Sequence, residues 1–170
     1  WSDAYTELQP ALDAAASGND GGEIWVAEGT YRPTRRLDSG DDRTVTFPLR
    51  NGVAIYGGFV GTETTRSARN PDPASNGTIL SGDIGVVGFA GDNAYHVVSG
   101  SGTNASAVLD GVTITDGRAN GSAFDDRDGA GMYNDDGSPT LANCRFVDNR
   151  ASRGGGAIYS LSPAVFRNWK

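Results

Sequence analysis

Ala107-Val-Leu-Asp-Gly-Val-Thr-Ile-Thr-Asp-Gly117 and the glycine-flanked Gly129-Ala-Gly-Met-Tyr-Asn134 that follows it form one unit of a repeat. Leu109 opens a short apolar strand, Gly111 breaks it, and Val112 and Ile114 resume with period two. That spacing puts alternate side chains on one face of a strand. Asp116-Gly117 then turns the chain. The same grammar returns in Ser138-Pro-Thr-Leu-Ala-Asn-Cys-Arg-Phe-Val-Asp-Asn149, and Gly154-Gly-Gly-Ala-Ile-Tyr-Ser160 answers Gly129 to Asn134. A third copy begins at Ser162. Met132 to Ile158 is 26 residues and Leu141 to Val165 is 24. A period in the twenties, carried by short strands without helices, predicts a β-solenoid rather than a propeller or a helical array.

Composition agrees with that reading. Only 37% of the 170 residues are apolar, and 25 are glycine without a collagen period, which suits a fold of many tight turns. The formal net charge is −7. Such a surface repels nucleic acid and anionic lipid, so nucleic acid is not an expected partner. No apolar run is long enough to span a bilayer. With one cysteine, Cys144, no intramolecular disulfide can form, and its place in Leu-Ala-Asn-Cys-Arg-Phe is that of a small buried hydrophobe. The chain starts at Trp1 without a signal peptide, as a mature secreted protein or a segment of a longer one would. Low lysine with abundant Asp, Asn, Gly, Ser and Thr points to an extracellular or bacterial cell-surface protein.

Taken in order, residues 1–18 contain the one expected helix. Leu8, Ala11, Leu12 and Ala15 share a face, Thr6-Glu-Leu-Gln9 has the form of a capping box, and Gly18 suits the C-terminal end. A solenoid must cover its open ends, and this helix is the expected N-terminal lid. Strands follow at Glu23 to Glu28, at Val45, Phe47 and Leu49, at Gly52 to Phe59, at Thr78 to Leu80 and at Tyr95 to Val98. Between them lie polar excursions at 30–43, 60–76, 84–94 and 118–128. The expected organisation is one domain over 1–170: a capping helix (1–18), irregular rungs with insertions (23–117), and regular glycine-rich rungs (129–170), the last incomplete.

Tyr5-Thr-Glu-Leu-Gln9, Glu23-Ile-Trp-Val-Ala-Glu-Gly-Thr-Tyr31, Val53-Ala-Ile-Tyr-Gly-Gly-Phe-Val-Gly-Thr-Glu63, Arg69-Asn70, Thr78-Ile-Leu-Ser-Gly-Asp83, Tyr95-His-Val-Val98 and Leu109 to Gly117 together carry a resemblance. The chain resembles the N-terminal region of bacterial right-handed parallel β-helix repeat proteins of the pectin-lyase-like superfamily. Its glycine-rich rungs are similar to the repeats of polymorphic outer-membrane proteins and related adhesins. The resemblance implies an all-β fold, a right-handed parallel β-helix with an N-terminal capping α-helix. It does not select an activity, because that superfamily holds lyases, glycosidases, tailspikes and adhesins. An incomplete last rung would leave an open parallel edge, a template for pairing, so association of copies through the C-terminal end is expected.

Three kinds of site are candidates. Asp125, Asp126 and Asp128, in an acidic loop ended by Gly129, could supply oxygen ligands to calcium, although neither the EF-hand nor the β-roll pattern is met. Asp83, Asp110 and Asp116 sit at strand ends, where paired aspartates could act as acid and base on a polysaccharide; Asp110-Gly and Asp116-Gly are also turn signals in their own right. Tyr31, Tyr56 and Trp169 could stack on sugar rings, while Tyr133 and Tyr159, at equivalent rung positions, suit a structural ladder. Three sequons, at Asn76, Asn104 and Asn120, match a glycosylation signal. The expected function is a secreted or cell-surface module presenting loops to a glycan or a surface protein without catalysis. The alternatives are a polysaccharide lyase or glycoside hydrolase, and a structural spacer. Within the opening unit only the insertion from Arg118 to Asp128 lacks a counterpart in the next copy, which makes it the place to look for a site.

Overall fold

A computed structural model of the protein describes residues 1–2, 4–17, 22–162 and 164–167. Among the described residues one α-helix, α1 (Leu8–Ser17), precedes fifteen strands. In chain order these are β1 (Gly22–Ala27), β2 (Gly29–Tyr31), β3 (Phe47–Pro48), β4 (Val53–Phe59), β5 (Thr78–Ser81), β6 (Val98–Ser99), β7 (Val108–Asp110), β8 (Thr113–Thr115), β9 (Arg118–Ala119), β10 (Met132–Asn134), β11 (Thr140–Ala142), β12 (Arg145–Val147), β13 (Arg150–Ala151), β14 (Ile158–Ser160) and β15 (Val165–Arg167).

Every pairing between these strands is parallel. Sheet I runs β1-β4-β7-β11-β15, sheet II β2-β5-β8-β12, sheet III β3-β6-β10-β14, and β9 pairs with β13 alone. The chain therefore visits sheets I, II and III in turn and returns to sheet I one strand further along, four times over. Each return lays a strand directly beside its predecessor, so like side chains fall into register. Ile24, Ile55, Leu109 and Leu141 form a column in sheet I. Tyr31, Leu80, Ile114 and Phe146 do so in sheet II, and Phe47, Val98, Met132 and Ile158 in sheet III. These columns belong to one core, to which α1 adds Leu8 and Leu12 against Val26. A fully buried Leu or Ile in such a column contributes roughly 1.5–3 kcal/mol.

Tight corners join the strands. Asp116 and Asp148, which follow paired strand ends, have φ of 62° and 53°. This left-handed region is one that aspartate tolerates better than most residues. Gly111 (φ 79°) and Asn143 (φ 47°) occupy an equivalent corner after β7 and β11. Asparagine side chains tie the corners together: Asn149 accepts from the Gly117 amide at 3.0 Å and donates to the Ile114 carbonyl at 2.9 Å.

Several boundaries differ from the expectations, each for a local reason. Met132 does pair with Ile158, but Leu141 pairs with Phe166 and Val165 with Thr140. One residue of slip exchanges the faces of a strand, and this register puts Phe166 in line with the Leu141 column. Thr30 and Tyr31, expected in an excursion, are strand residues paired with Ile79 and Leu80. Arg118 and Ala119, expected to start an insertion, pair with Arg150 and Ala151. Gly18 lies outside the described residues. Among the described residues no helix is long and apolar enough to cross a membrane.

Candidate functional site

Asp83 and Asp116 meet at the Ser81 hydroxyl, which accepts from the Asp83 amide at 3.1 Å and donates to Asp116 at 2.9 Å, while Asp110 has other partners. Asp110, at the end of β7, receives the Arg69 guanidinium at 2.7 Å and the Asn143 amide at 2.7 Å. Both side chains of that ion pair are close to buried, at 10% and 14% exposure. Asp116 accepts from the Ser81 hydroxyl at 2.9 Å while holding its left-handed corner. Asp83 accepts the Gly88 amide on both oxygens, at 2.9 and 3.1 Å, and lies 3.7 Å from Arg32. Each of the three carboxylates is held in a fixed structural contact. Cys144 is fully buried and burial pushes its thiol up to about 12, the behaviour of an unreactive packing residue.

The aromatic candidates are divided. Tyr31 is half-buried and donates to the Ala27 carbonyl at 3.2 Å; burial raises its phenol. Tyr56 lies under the guanidiniums of Arg66 and Arg69, 4.8 and 5.2 Å from its ring centre. Trp169 is outside the described residues. Beside Tyr31, α1 and β1 border an open groove of about 830 Å³, whose lining includes Trp1, Tyr5 and Trp25. Trp25 stacks on Phe59 there at 4.9 Å.

In the acidic insertion each aspartate has its own surroundings. Its three aspartates go separate ways from a single 3-10 turn, Asp125–Arg127. Asp128 is fully buried and clasped by Arg153 through two guanidinium nitrogens. Arg153 holds that carboxyl below the usual range. Asp125 is exposed and interacts with the Tyr133 hydroxyl. Asp126 is half-buried and interacts electrostatically with His96. Among the described residues no three His, Cys, Asp or Glu side chains are grouped to hold a metal ion.

What the insertion does build is a wall over sheet III. The segment 36–45, including Asp41 and Arg43, approaches it from the first turn of the chain. Tyr95 donates to Asp41 Oδ2 at 3.0 Å. Arg43 stacks on the Tyr95 ring at 4.2 Å and donates to the Asn93 and Arg118 carbonyls and to Asn120 Oδ1 at 2.7–2.8 Å. Gly121 allows the approach, because a Cβ there would collide with Asp126 and with the Tyr95 ring. His96 sits at the floor, 8% exposed, its ring 5.0 Å from that of Tyr133. Tyr133 and Tyr159, from adjacent strands, stack at 5.8 Å with 19° between planes.

The electrostatics of this wall are unusual for the molecule. Burial lowers the His96 imidazole, against the nearby carboxylates of Asp126, Asp125 and Asp128, which act to raise it. Burial also raises the Asp126 carboxyl, reinforced by Asp41 and Asp125 and opposed by His96. The Tyr133 phenol is raised by burial and by Asp125. A half-buried carboxyl and a buried imidazole with oppositely displaced affinities mark a functional-site candidate.

The sequence pointed to the insertion but not to His96, Tyr95 or Asp41. Their contacts join segments that lie 54 residues apart, as in Tyr95 with Asp41, and no spacing rule reaches that far. The available signal was the one histidine next to a tyrosine, in a strand preceding an acidic insertion. Searches of known protein families, of curated proteins and of solved structures find no match to this chain.

Proposed function

We propose that this chain is a right-handed parallel β-helix module of a secreted or bacterial cell-surface protein, and that it binds a glycan on the wall of sheet III. One observation carries the reading: two excursions, 36–45 and 120–128, meet over sheet III and bring Asp41, Asn120, Asp125 and Asp126 around Tyr95 and Tyr133. Carboxylates and amides are the groups that hydrogen-bond sugar hydroxyls, and tyrosine offers an apolar body with a polar tip. Loops held over a regular scaffold are where binding residues concentrate.

Titration of the chain with a panel of oligosaccharides tests the glycan reading. Binding that weakens about tenfold in Tyr133→Ala, about 1.4 kcal/mol, is the expected result. Absence of binding to any glycan leaves the spacer reading in its place.

A second reading, a polysaccharide lyase or glycoside hydrolase, draws on the raised Asp126 carboxyl beside His96. An acid near its working pH is what general acid catalysis needs. Release of reducing ends or unsaturated products that Asp126→Asn abolishes is the outcome that would favour it.

A further inference from the structure

The first strand of sheet I has a neighbour on one side. Among the described strands β1 pairs with β4 alone, at the edge of the row β1-β4-β7-β11-β15. The Gly22 amide donates to the Gly52 carbonyl at 3.0 Å. Alternate residues of a strand face the same neighbour, so Gly22 and Ile24 turn to β4, while Glu23 and Trp25 turn their amides and carbonyls away from it. Such an edge is a template for another strand. The lining of the open groove of about 830 Å³ takes in all five residues from Glu23 to Ala27. Successive strand residues point to opposite faces, so a groove that touches this unbroken run follows the edge of β1 rather than either face.

The far wall is α1. Leu8, Ala11 and Ala15 fall on one stripe of the helix and line the groove, as the helical period places them. Leu8 and Leu12 close the end of the core, and the alanines beside them leave room along the strand edge. The aromatic part of the lining is fixed in advance. Trp25 stacks on Phe59 at 4.9 Å with 8° between planes and donates to Glu23 at 3.0 Å. Trp1 donates to the Glu63 carbonyl at 3.0 Å. Rings already held in place cost little to order on binding. The charged side chains on the lining are Glu7, which is exposed, and Glu23, which is shared with Arg66. A strand edge exposed along an apolar groove is the setting in which an extended peptide adds to a sheet.

We propose that this groove takes an extended peptide of a partner protein, added to β1 as a further strand of sheet I, in which basic residues alternate with aliphatic ones. Its backbone would bond to the amides and carbonyls of Glu23 and Trp25. On one face its aliphatic side chains would lie beside Ile24 and Val26 and extend the column of Ile24, Ile55, Leu109 and Leu141. On the other face its basic side chains would meet Glu23 and the ring of Trp25, with Glu7 across the groove. Opposite charges and cation–ring contacts between neighbouring strands are favourable there. The proposal does not depend on the glycan reading, since none of the residues assigned to the sheet III wall lines this groove.

The probe is a fluorescein-labelled hexapeptide alternating Lys and Val, titrated with the whole chain by anisotropy at neutral pH. Two further versions carry N-methyl groups on alternate amides, one on the Lys set and one on the Val set. The expected result is saturable binding that one methylation pattern weakens by about tenfold or more and the other spares, because one set of amides faces β1. Ala11→Trp, which fills the groove, should abolish binding. Glu7→Lys, an exposed change, should weaken it by about threefold, and it carries the test if Ala11→Trp fails to fold. Absence of saturable binding overturns the proposal, and so does an equal response to the two methylation patterns. Binding left unchanged by Glu7→Lys and by a folded Ala11→Trp places the peptide elsewhere and also overturns it. Dimerisation of the chain alone in light scattering, lost in Ala11→Trp, gives the groove to a second copy and overturns the partner peptide.

Discussion

At the corner of sheets I and II, Asp110 receives a guanidinium and an amide; on the wall of sheet III, Asp126 receives one backbone amide. Both are aspartates beside tight turns. The first was a candidate catalyst by sequence and serves as a structural tie between segments 41 residues apart. The second lay in a loop, and its carboxyl is raised by burial and opposed by the charge of His96. The difference is in the supply of donors. A carboxylate held by a guanidinium and an amide from distant segments ties the fold together. Position in a repeat does not distinguish the two; the partners contributed by distant segments do.

Substitutions that remove one carboxylate at a time should separate these regions. The largest effect is expected at Asp110→Ala, which strands the nearly buried Arg69 charge and should cost about 3–5 kcal/mol in urea unfolding; a loss under about 1 kcal/mol would erase the contrast. Asn149→Ala removes both the acceptor of the Gly117 amide and the donor to Ile114, and should cost about 1–3 kcal/mol. Next comes the acid limb of stability. Asp128 is held below its ordinary value of 3.8 by Arg153, so its contribution is present above that pH and lost as pH falls further. Asp126 is raised above 3.8 by burial, so its contribution is present below 3.8 and fades as pH rises through its folded value. Thermal midpoints taken between about pH 3 and 7 should show a shallower acid loss in Asp128→Asn and a smaller decline towards neutrality in Asp126→Asn. The smallest effect is Asp126→Asn at about pH 7, within about 0.5 kcal/mol of wild type. A large loss there would make Asp126 a structural tie like Asp110.

Where the chain is regular, the sequence spacing anticipated which strand residues pair. Met132 and Ile158 pair as their spacing implied, Tyr133 stacks on Tyr159, and Leu8 and Leu12 bury the helix face. These features rest on side-chain periodicity, which local sequence records. Where excursions intervene, the period is hidden: Ala54 pairs with Val108, across two loops, and Thr140 with Val165 after half that distance. Short β-forming runs such as Thr30-Tyr31 inside polar surroundings were masked by their neighbours. The wall was half legible. Its acids could be seen in Asp125-Asp126, but the burial that makes His96 matter comes from Tyr133 and Gly129 meeting it across more than 30 residues. Among the aspartates, turn propensity was the better guide at Asp116 and Asp148, since both have the left-handed φ that a corner demands.

The return of every excursion to a fixed place beside the preceding strand has an evolutionary and engineering consequence. The link from β9 to β10 spans residues 120–131, while that from β13 to β14 spans 152–157, yet both pairs of strands remain in register. Loop closure costs only about 0.6 kcal/mol for each doubling of length. The framework therefore behaves as a rack of sockets, each able to accept a longer or shorter segment without disturbing the next. Transplanting residues 120–128 into the 152–157 link would be expected to carry an acidic lip one strand further along sheet III, over Tyr159.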